Sequence, residues 1–123
     1  MSEIPIVKDE NSEGSVPTRW RPVLKFIADA LVSGRPPISL GIRAVDADAL
    51  KISIGNIADY PDVIGPLTEA SWKTSVYIWT GSYWDVLVDL ISETGEISDL
   101  VLQVKVYPTG QEYEFQPHLV YIP

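Results

Sequence analysis

The sequence predicts an α+β fold in which one or two N-terminal helices pack on a C-terminal antiparallel β-meander of about four strands. In the first half, apolar residues recur every three to four positions, which is the period of a helix. From about Ser75 onward they alternate with polar residues, which is the period of a strand. The length of 123 residues fits one domain, because domains average roughly 150 residues. We therefore predict a single α+β domain over residues 17–123.

Residues 1–16 differ from the rest in composition. They are rich in Ser, Glu, Asp, Asn and Gly, have little periodic apolar content and carry a net charge of −3. Such a segment buries too little apolar surface to offset the entropy lost on ordering. We predict that residues 1–16 form a disordered acidic tail.

The strongest helical pattern runs from Thr18 to Ser33. Its apolar positions lie on one face, and Gly34 followed by two prolines supplies a stop. Thr18 is a candidate N-cap, and Pro22 lies near the first turn, where a missing N–H costs little.

A second helix is predicted after Asp46, which is a candidate N-cap. Ala49, Leu50, Ile54 and Ile57 would share one face, and Asp59-Tyr60-Pro61 would end the helix because a residue before proline avoids the α region. Alternation over 38–44 predicts a short strand between the two helices. The prolines and glycine of 61–68 predict a loop.

Four β-rich runs follow, over 75–79, 83–91, 99–107 and 112–122, separated by glycine-containing turns. Pairing about these turns sets Val86 opposite Val104, Leu90 opposite Leu100, Val104 opposite Phe115 and Val106 opposite Tyr113. Both registers place apolar residues on one side, as a half-buried sheet requires. This inner face is Trp84, Val86, Val88, Leu90, Leu100, Leu102, Val104, Val106, Tyr113 and Phe115.

The opposite, outer face of the predicted sheet is mixed acidic and apolar. Pro117 is expected to break or bulge the last strand and to shift the phase after it. The outer face is Asp85, Leu87, Asp89, Ile91, Asp99, Val101, Gln103, Lys105, Tyr107, Glu112 and Glu114.

The charge is concentrated at the C-terminal end. Residues 80–123 carry seven acids and one base, for a net charge of −6, out of −8 for the chain. This balance repels a phosphate backbone, so we expect no nucleic-acid binding. It would attract a basic partner and raise the rate of encounter, although the same excess of acids also serves solubility alone.

Cellular location and cofactors are inferred from what the sequence omits. The absence of cysteine excludes thiolate chemistry and cysteine-ligated metals. No apolar run reaches the roughly 18 residues of a membrane span, and the first residues do not resemble a secretion signal. We expect a soluble cytoplasmic protein with no membrane association, cofactor or metal.

Catalytic patterns are weak. His118 is the only histidine, and no activated serine pattern accompanies it. Asp46 and Asp48 have the spacing of some cation ligands, but capping a helix is the simpler role. Asp85 and Asp89 share one face of a strand and could do acid–base chemistry only if burial separated their pKa values. A solvated face or partner recognition are the alternatives.

Aromatic residues cluster around the first β-turn. Trp79, Tyr83 and Trp84 lie within a few residues, and such side chains dominate both cores and binding hot spots. Trp84 is phased inward and is predicted to be core. Trp79 and Tyr83 flank a turn, so at least one of them is available to a partner or to a homodimer contact.

Several motifs carry a family resemblance. The run Tyr83–Leu90 followed by Ser98-Asp99-Leu100 resembles small uncharacterised bacterial proteins with a YW-x-V-x-V-D-L strand and a nearby S-D-L. Asp59-Tyr60-Pro61 with Pro66-Leu67, and the helix containing Trp20, Leu24 and Ile27, are similar to the same group. Some of its members look like immunity proteins of polymorphic toxin systems. Over residues 18–122 the resemblance implies an α+β fold and a function through association.

Three functions are therefore weighed. The leading hypothesis is a non-enzymatic immunity-type inhibitor that binds a basic toxin domain. The alternatives are a small enzyme or ligand-binding protein with a carboxylate-lined pocket between helices and sheet, and a structural homodimer subunit. The predicted partner-binding residues are Asp85, Asp89, Asp99, Glu112, Glu114, Tyr107, Trp79 and Tyr83.

Overall fold

The structure, a computed structural model, describes residues 3–123. It confirms the α+β class, with three helices followed by an antiparallel meander and a further two-residue strand at the edge of the sheet. The elements in chain order are β1 (Gly14–Ser15), a 3₁₀ turn (Thr18–Trp20), α1 (Arg21–Val32), α2 (Ala47–Asp59), α3 (Glu69–Thr74), β2 (Val76–Trp79), β3 (Trp84–Ile91), β4 (Ile97–Thr109) and β5 (Glu112–Tyr121).

The first helix forms where the apolar period predicts it. Pro22 occupies its first turn, and Gly34 follows it with a φ of 74°, a conformation that favours glycine. Thr18 does not cap the helix. Its Oγ1 instead accepts a hydrogen bond from the N–H of Ile4 at 2.8 Å, because residues 3–7 return to this point.

The second helix is confirmed together with its cap. The Asp46 carboxylate accepts from the N–H of Ala49, and the helix ends at Asp59 before an extended Tyr60. The strand predicted over 38–44 is wrong. Only Ile42 forms a bridge, to Phe115, because neighbouring residues turn outward at Gly41, where φ is 82°.

The short helix α3 is absent from the sequence prediction. It begins at the end of the predicted loop, where Thr68 and Ser71 form a reciprocal capping box. Trp72 packs from this helix into the core. With only six residues the helix is too short for its periodicity to stand out.

The strands pair in the order β1-β2-β3-β4-β5, all antiparallel. The predicted pairing of Val86 with Val104 is confirmed, and a register shift follows Asp89. The predicted register of β4 with β5 is wrong by two residues, because β4 continues through Pro108 to a two-residue turn at Gly110-Gln111. Phe115 therefore faces Val106. A slip of two preserves the face of every side chain, so the inner row stays apolar.

Pro117 lies next to an irregularity, as predicted. Val104 faces Pro117 but Leu102 faces Val120, so His118 and Leu119 together oppose Gln103. This bulge changes the phase of β5 and returns Val120 to the inner face, where it is buried.

The core lies between the inner face and α1, with Trp20 at its centre. The Trp20 ring packs edge-on against Tyr77, Trp84, Tyr113 and Phe115, with centroid distances of 5.2–6.3 Å. Trp84 is 2% exposed, so its predicted core role is confirmed. The inner face receives the N-terminal helix as the alternating pattern requires.

Residues 4–16, within the segment predicted as a disordered tail, make specific contacts. Val16 is fully buried, Ile6 packs against the core, and Gly14–Ser15 pairs with β2. The Trp84 indole donates to the carbonyl of Val7 at 2.9 Å. The polar groups of Tyr77 and Trp84 need hydrogen-bond partners when buried, and this segment supplies them, whereas the Trp20 indole N–H is buried without one in residues 3–123. Residues 1 and 2 of the predicted tail lie outside the described residues.

Both edges of the sheet are partly covered. On β5, Phe115 exchanges backbone hydrogen bonds with Gly41 and Arg43, each at 2.8 Å. Farther along, Ser53 accepts from the N–H of Val120 and Asn56 donates to its carbonyl. On the other side β1 pairs with β2. Covering part of an edge in this way hinders strand addition by another chain.

Candidate functional site

The outer face of the sheet is the surface on which the predicted binding residues fall. Within residues 3–123, α1 packs on the inner face, and α2 and α3 also add side chains to that core while they contact β5 and β3 respectively. Asp85, Leu87 and Lys105 on the outer face are each half-buried by their neighbours. The other outer-face positions differ, because Gln103 and Tyr107 are also half-buried whereas Ile91 and Val101 are buried.

The acidic residues of β5 are paired with arginines from outside the sheet. Arg43 Nε donates to the Glu114 carboxylate at 3.1 Å, and Arg19 lies 3.5 Å from Glu112. The side chains of Glu114 and Glu112 remain 40% and 80% exposed. These exposed ion pairs contribute little to stability. They do, however, neutralise the negative charges of Glu112 and Glu114, which were predicted to bind a basic partner.

A polar cluster occupies the middle of the outer face. Asp85 faces Lys105 across β3 and β4, and the Gln103 amide donates to the Asp85 carboxylate at 3.0 Å. His118 lies close enough for both charges to act on it. Burial and the Lys105 charge lower the pKa of His118, while Asp85 opposes them, and its Nε2 is buried without a hydrogen-bond partner. The ring is thus held in its neutral form near neutral pH.

The end of the sheet near the β3–β4 turn carries unpaired acids. Asp99 is exposed, and its N–H donates to the Tyr60 hydroxyl at 3.0 Å. Asp89 accepts from the Thr74 hydroxyl. The three ion pairs found in residues 3–123 include none of the exposed acids at this end, which are Asp59, Asp62, Glu93, Glu96 and Asp99.

Of the predicted aromatic binding residues, two lie on the outer face and one does not. Tyr83 and Tyr107 pack together with centroids 5.3 Å apart. Lys105 lies 4.9 Å from the Tyr83 ring and Arg43 lies 4.0 Å from the Tyr107 ring. Trp79 is instead on the core side, against Trp84. Its other neighbour is Lys8, 4.8 Å away.

Two large clefts adjoin the sheet. The larger, about 780 Å³, lies between α1, residues 40–43 and β5, with Trp20, Tyr113 and Phe115 among its lining residues. The smaller, about 530 Å³, lies near the unpaired acids and includes Tyr60 and Asp99. The carboxylates at the larger cleft, Glu112 and Glu114, are solvent-exposed and face arginines, so this cleft does not favour acid–base chemistry.

Arg43 is the residue of this surface that sequence reasoning missed. It follows an exposed loop and reaches Glu114 across 71 positions of the chain, a contact that local patterning does not reveal. The one signal in the sequence was the alternation over 38–44, which predicted an extended segment that could pair with a strand. In the structure this segment bonds to the edge of β5 through Gly41 and Arg43.

Residues 3–123 contain no group of three or more His, Cys, Asp or Glu side chains placed to hold a metal ion. In the same residues, no helix has the length and apolar character needed to span a bilayer.

Comparison with known proteins identifies a family for this chain. No curated protein and no solved structure matches it. A family model described as Domain of unknown function (DUF7668) matches residues 28–123, which include the distal end of α1, the other two helices and strands β2 to β5. The chain therefore belongs to the DUF7668 family.

Proposed function

We propose that this protein is a non-enzymatic binding module of the immunity type, which inhibits a bacterial toxin by docking the outer face of its sheet on a basic surface of the toxin. The observation that carries the proposal is a partly exposed region of the sheet's outer face, where the carboxylates of Asp85 and Glu114 lie near the tyrosine pair Tyr83 and Tyr107. An inhibitor of this kind needs a complementary surface rather than a reaction centre, and aromatic groups beside charges are typical of such surfaces.

The electrostatics support a basic partner. Residues 80–123 carry a net charge of −6 with Lys105 included, and Arg19 and Arg43, which pair with Glu112 and Glu114 from outside this segment, reduce it to −4. The unpaired acids near the β3–β4 turn add to the field at one end of the face. A field of this sign speeds the approach of a cationic protein and slows the approach of nucleic acid.

The covered edges favour the face over the edges as the contact surface. Gly41 and Arg43 occupy one part of the β5 edge, and Ser53 with Asn56 occupies another. A homodimer built by continuing the sheet would have to displace them. We therefore infer that partners meet the face and that strand addition is not the mode of binding.

The experiment uses the polypeptide encoded immediately upstream of this chain as the candidate toxin. Its C-terminal domain is produced in a bacterial host with and without this protein, and growth is recorded. We expect growth arrest that this protein relieves, together with a direct complex of the two purified proteins. Absence of both relief and complex would overturn the proposal.

A matched pair of charge variants then locates the surface. The first variant carries Asp85→Lys, Asp89→Lys and Glu114→Lys on the outer face. The control carries Glu13→Lys, Asp48→Lys and Glu69→Lys at exposed positions elsewhere, so that both variants have the same net charge. We expect association at low salt to slow about 10-fold or more in the first variant and much less in the control. Equal slowing in both would show that net charge alone acts, and would remove the face from the proposal.

A further inference from the structure

The larger cleft is an apolar site that the core does not fill. Trp20 and Val23 line it from the helical side, Tyr113 and Phe115 from β5, and Ile42 from the strap that crosses the β5 edge. Its volume of about 780 Å³ falls within the range of ligand-binding pockets, roughly 300–1,000 Å³.

The lip of this cleft is exposed to an unusual degree for apolar residues. Leu40, which lines the cleft, is fully exposed, and Ile38 is 79% exposed two positions earlier. A single exposed leucine needs no explanation, but two exposed apolar side chains in the segment that leads to an open apolar cleft favour an interaction site. Ile38 does not line the cleft, so an occupant that covers both side chains is larger than a small molecule held within the cleft.

The rim of the cleft is charged and joins it to the outer face. Its four charged residues are two arginines and two glutamates, Arg19, Arg43, Glu112 and Glu114. Glu112 and Glu114 belong to the same row of β5 as the outer-face residues. Glu112 is the most exposed of the four rim charges, at 80%, and its arginine partner is 3.5 Å away. A cation from a partner can therefore reach Glu112 without first breaking a short ion pair.

We propose that the cleft receives one aromatic or branched aliphatic side chain of the protein partner, flanked in the partner by a basic residue that pairs with Glu112. This inference rests on the proposed function, since it adds an anchor point to the same partner. The apolar walls and lip exclude water from the anchor, and the chain's net charge of −8 complements the basic flank.

The first experiment tests the cleft without the partner. Capped tripeptides Lys-Trp-Lys, Lys-Ala-Lys and Glu-Trp-Glu are titrated into the full ¹⁵N-labelled protein and followed by NMR. We expect Lys-Trp-Lys to shift the resonances of residues 40–43 and 112–115 and the Trp20 indole N–H, and to bind more tightly than both other peptides. Equal binding of Lys-Ala-Lys, or shifts confined to other regions, would overturn the inference.

The second experiment uses variants with the upstream-encoded polypeptide. Leu40→Ser removes the exposed lip and should not disturb folding, because the side chain is fully exposed. Val23→Trp fills the cleft from α1, with the dispersion of its NMR spectrum as the check on folding. The control is Ile97→Ser, an exposed apolar position near the β3–β4 turn. We expect Val23→Trp to raise the dissociation constant about 30-fold, as for a hot-spot residue, Leu40→Ser less, and Ile97→Ser hardly at all.

The two proposals fail in different ways. If Val23→Trp and Leu40→Ser bind the upstream-encoded polypeptide as the wild type does while the outer-face variant does not, the anchor is overturned and the proposed function stands. If the wild type does not bind that polypeptide, the proposed function is overturned, and the partner-based case for the anchor is overturned with it.

Discussion

The inner and outer faces of the sheet are made by alternate residues of the same strands, yet they differ in what determines their structure. Inner-face residues such as Val86 and Val104 are fully buried against α1, and their contacts follow from apolar periodicity alone. Outer-face residues such as Asp85 and Glu114 are partly exposed, and their carboxylates accept hydrogen bonds from Gln103 and Arg43, which belong to other segments. Alternation thus predicts most of the buried side chains, although Ile91 and Val101 on the outer face are buried as well. It does not predict which charges are compensated.

The largest expected effect comes from comparing one truncation on each face. Trp84→Ala removes a ring at the centre of the inner face, and we expect it to lower the free energy of unfolding by about 3–5 kcal/mol. Leu87→Ala, on the outer face of the same strand, should cost about 1 kcal/mol because the side chain is only half-buried. Urea denaturation measures both. Equal losses would mean that the outer face is covered in solution.

The next effect concerns the edge of the inner face. Ser53→Ala leaves the buried N–H of Val120 without an acceptor, and we expect a loss of about 1–3 kcal/mol in the same measurement. The control is Ser82→Ala in an exposed turn, which should change stability by less than about 0.5 kcal/mol. A loss at Ser53 no greater than at Ser82 would show that α2 does not hold this edge.

A smaller effect is expected for the outer-face charges. Glu114→Gln removes the ion pair with Arg43 and should cost about 0.2–1 kcal/mol, because the pair is solvent-exposed. Asp99→Asn should cost nothing, since Asp99 has no cationic partner in residues 3–123. Thermal denaturation at low and high salt tests the contrast, which should shrink as salt screens the pair. An unchanged contrast at high salt would point to packing instead of charge.

The smallest effect is a pH dependence from His118. Its pKa is lowered by burial and by Lys105, so the folded state binds this proton less readily than the unfolded state does. The stability it contributes is therefore complete above the ordinary value of 6.5 and decreases as the pH falls through 6.5 toward the lower folded pKa.

Melting temperatures between about pH 7.5 and about pH 5.5 test this prediction, because the interval spans an ordinary histidine pKa. We expect His118→Gln to flatten part of the decline seen in the wild type. Identical slopes for the two proteins would assign the decline to carboxylates alone.

Most of the fold could be predicted from the sequence because its elements follow from the local periodicity of apolar residues. The helix from Arg21, the Asp46 cap and the four main strands all carry their own signals. The predicted β4–β5 register is wrong because the third predicted run ends at residue 107, whereas β4 continues through Pro108, which faces Tyr113. The helix α3 and residues 3–16 are stabilised chiefly by tertiary contacts, which a single-sequence pattern does not contain.

The candidate site was harder to predict from the sequence, because it too depends on tertiary contacts. Sequence alternation places Asp85, Asp89, Tyr107 and Glu114 on one face, as the pairing shows. It does not indicate that Arg43 would stack on Tyr107, or that Trp79 would turn toward Trp84 and Lys8. These contacts join segments far apart in the chain, so only the folded backbone brings them together.

The position of Trp20 has a practical consequence for anyone who shortens this protein. The family match begins at residue 28, beyond the tryptophan whose ring touches four other aromatic side chains. A fragment cut at that boundary would lose the indole and leave a void as large as the ring in the middle of the molecule. Measurements on a fragment of residues 28–123 alone would then report on a protein with a defective core.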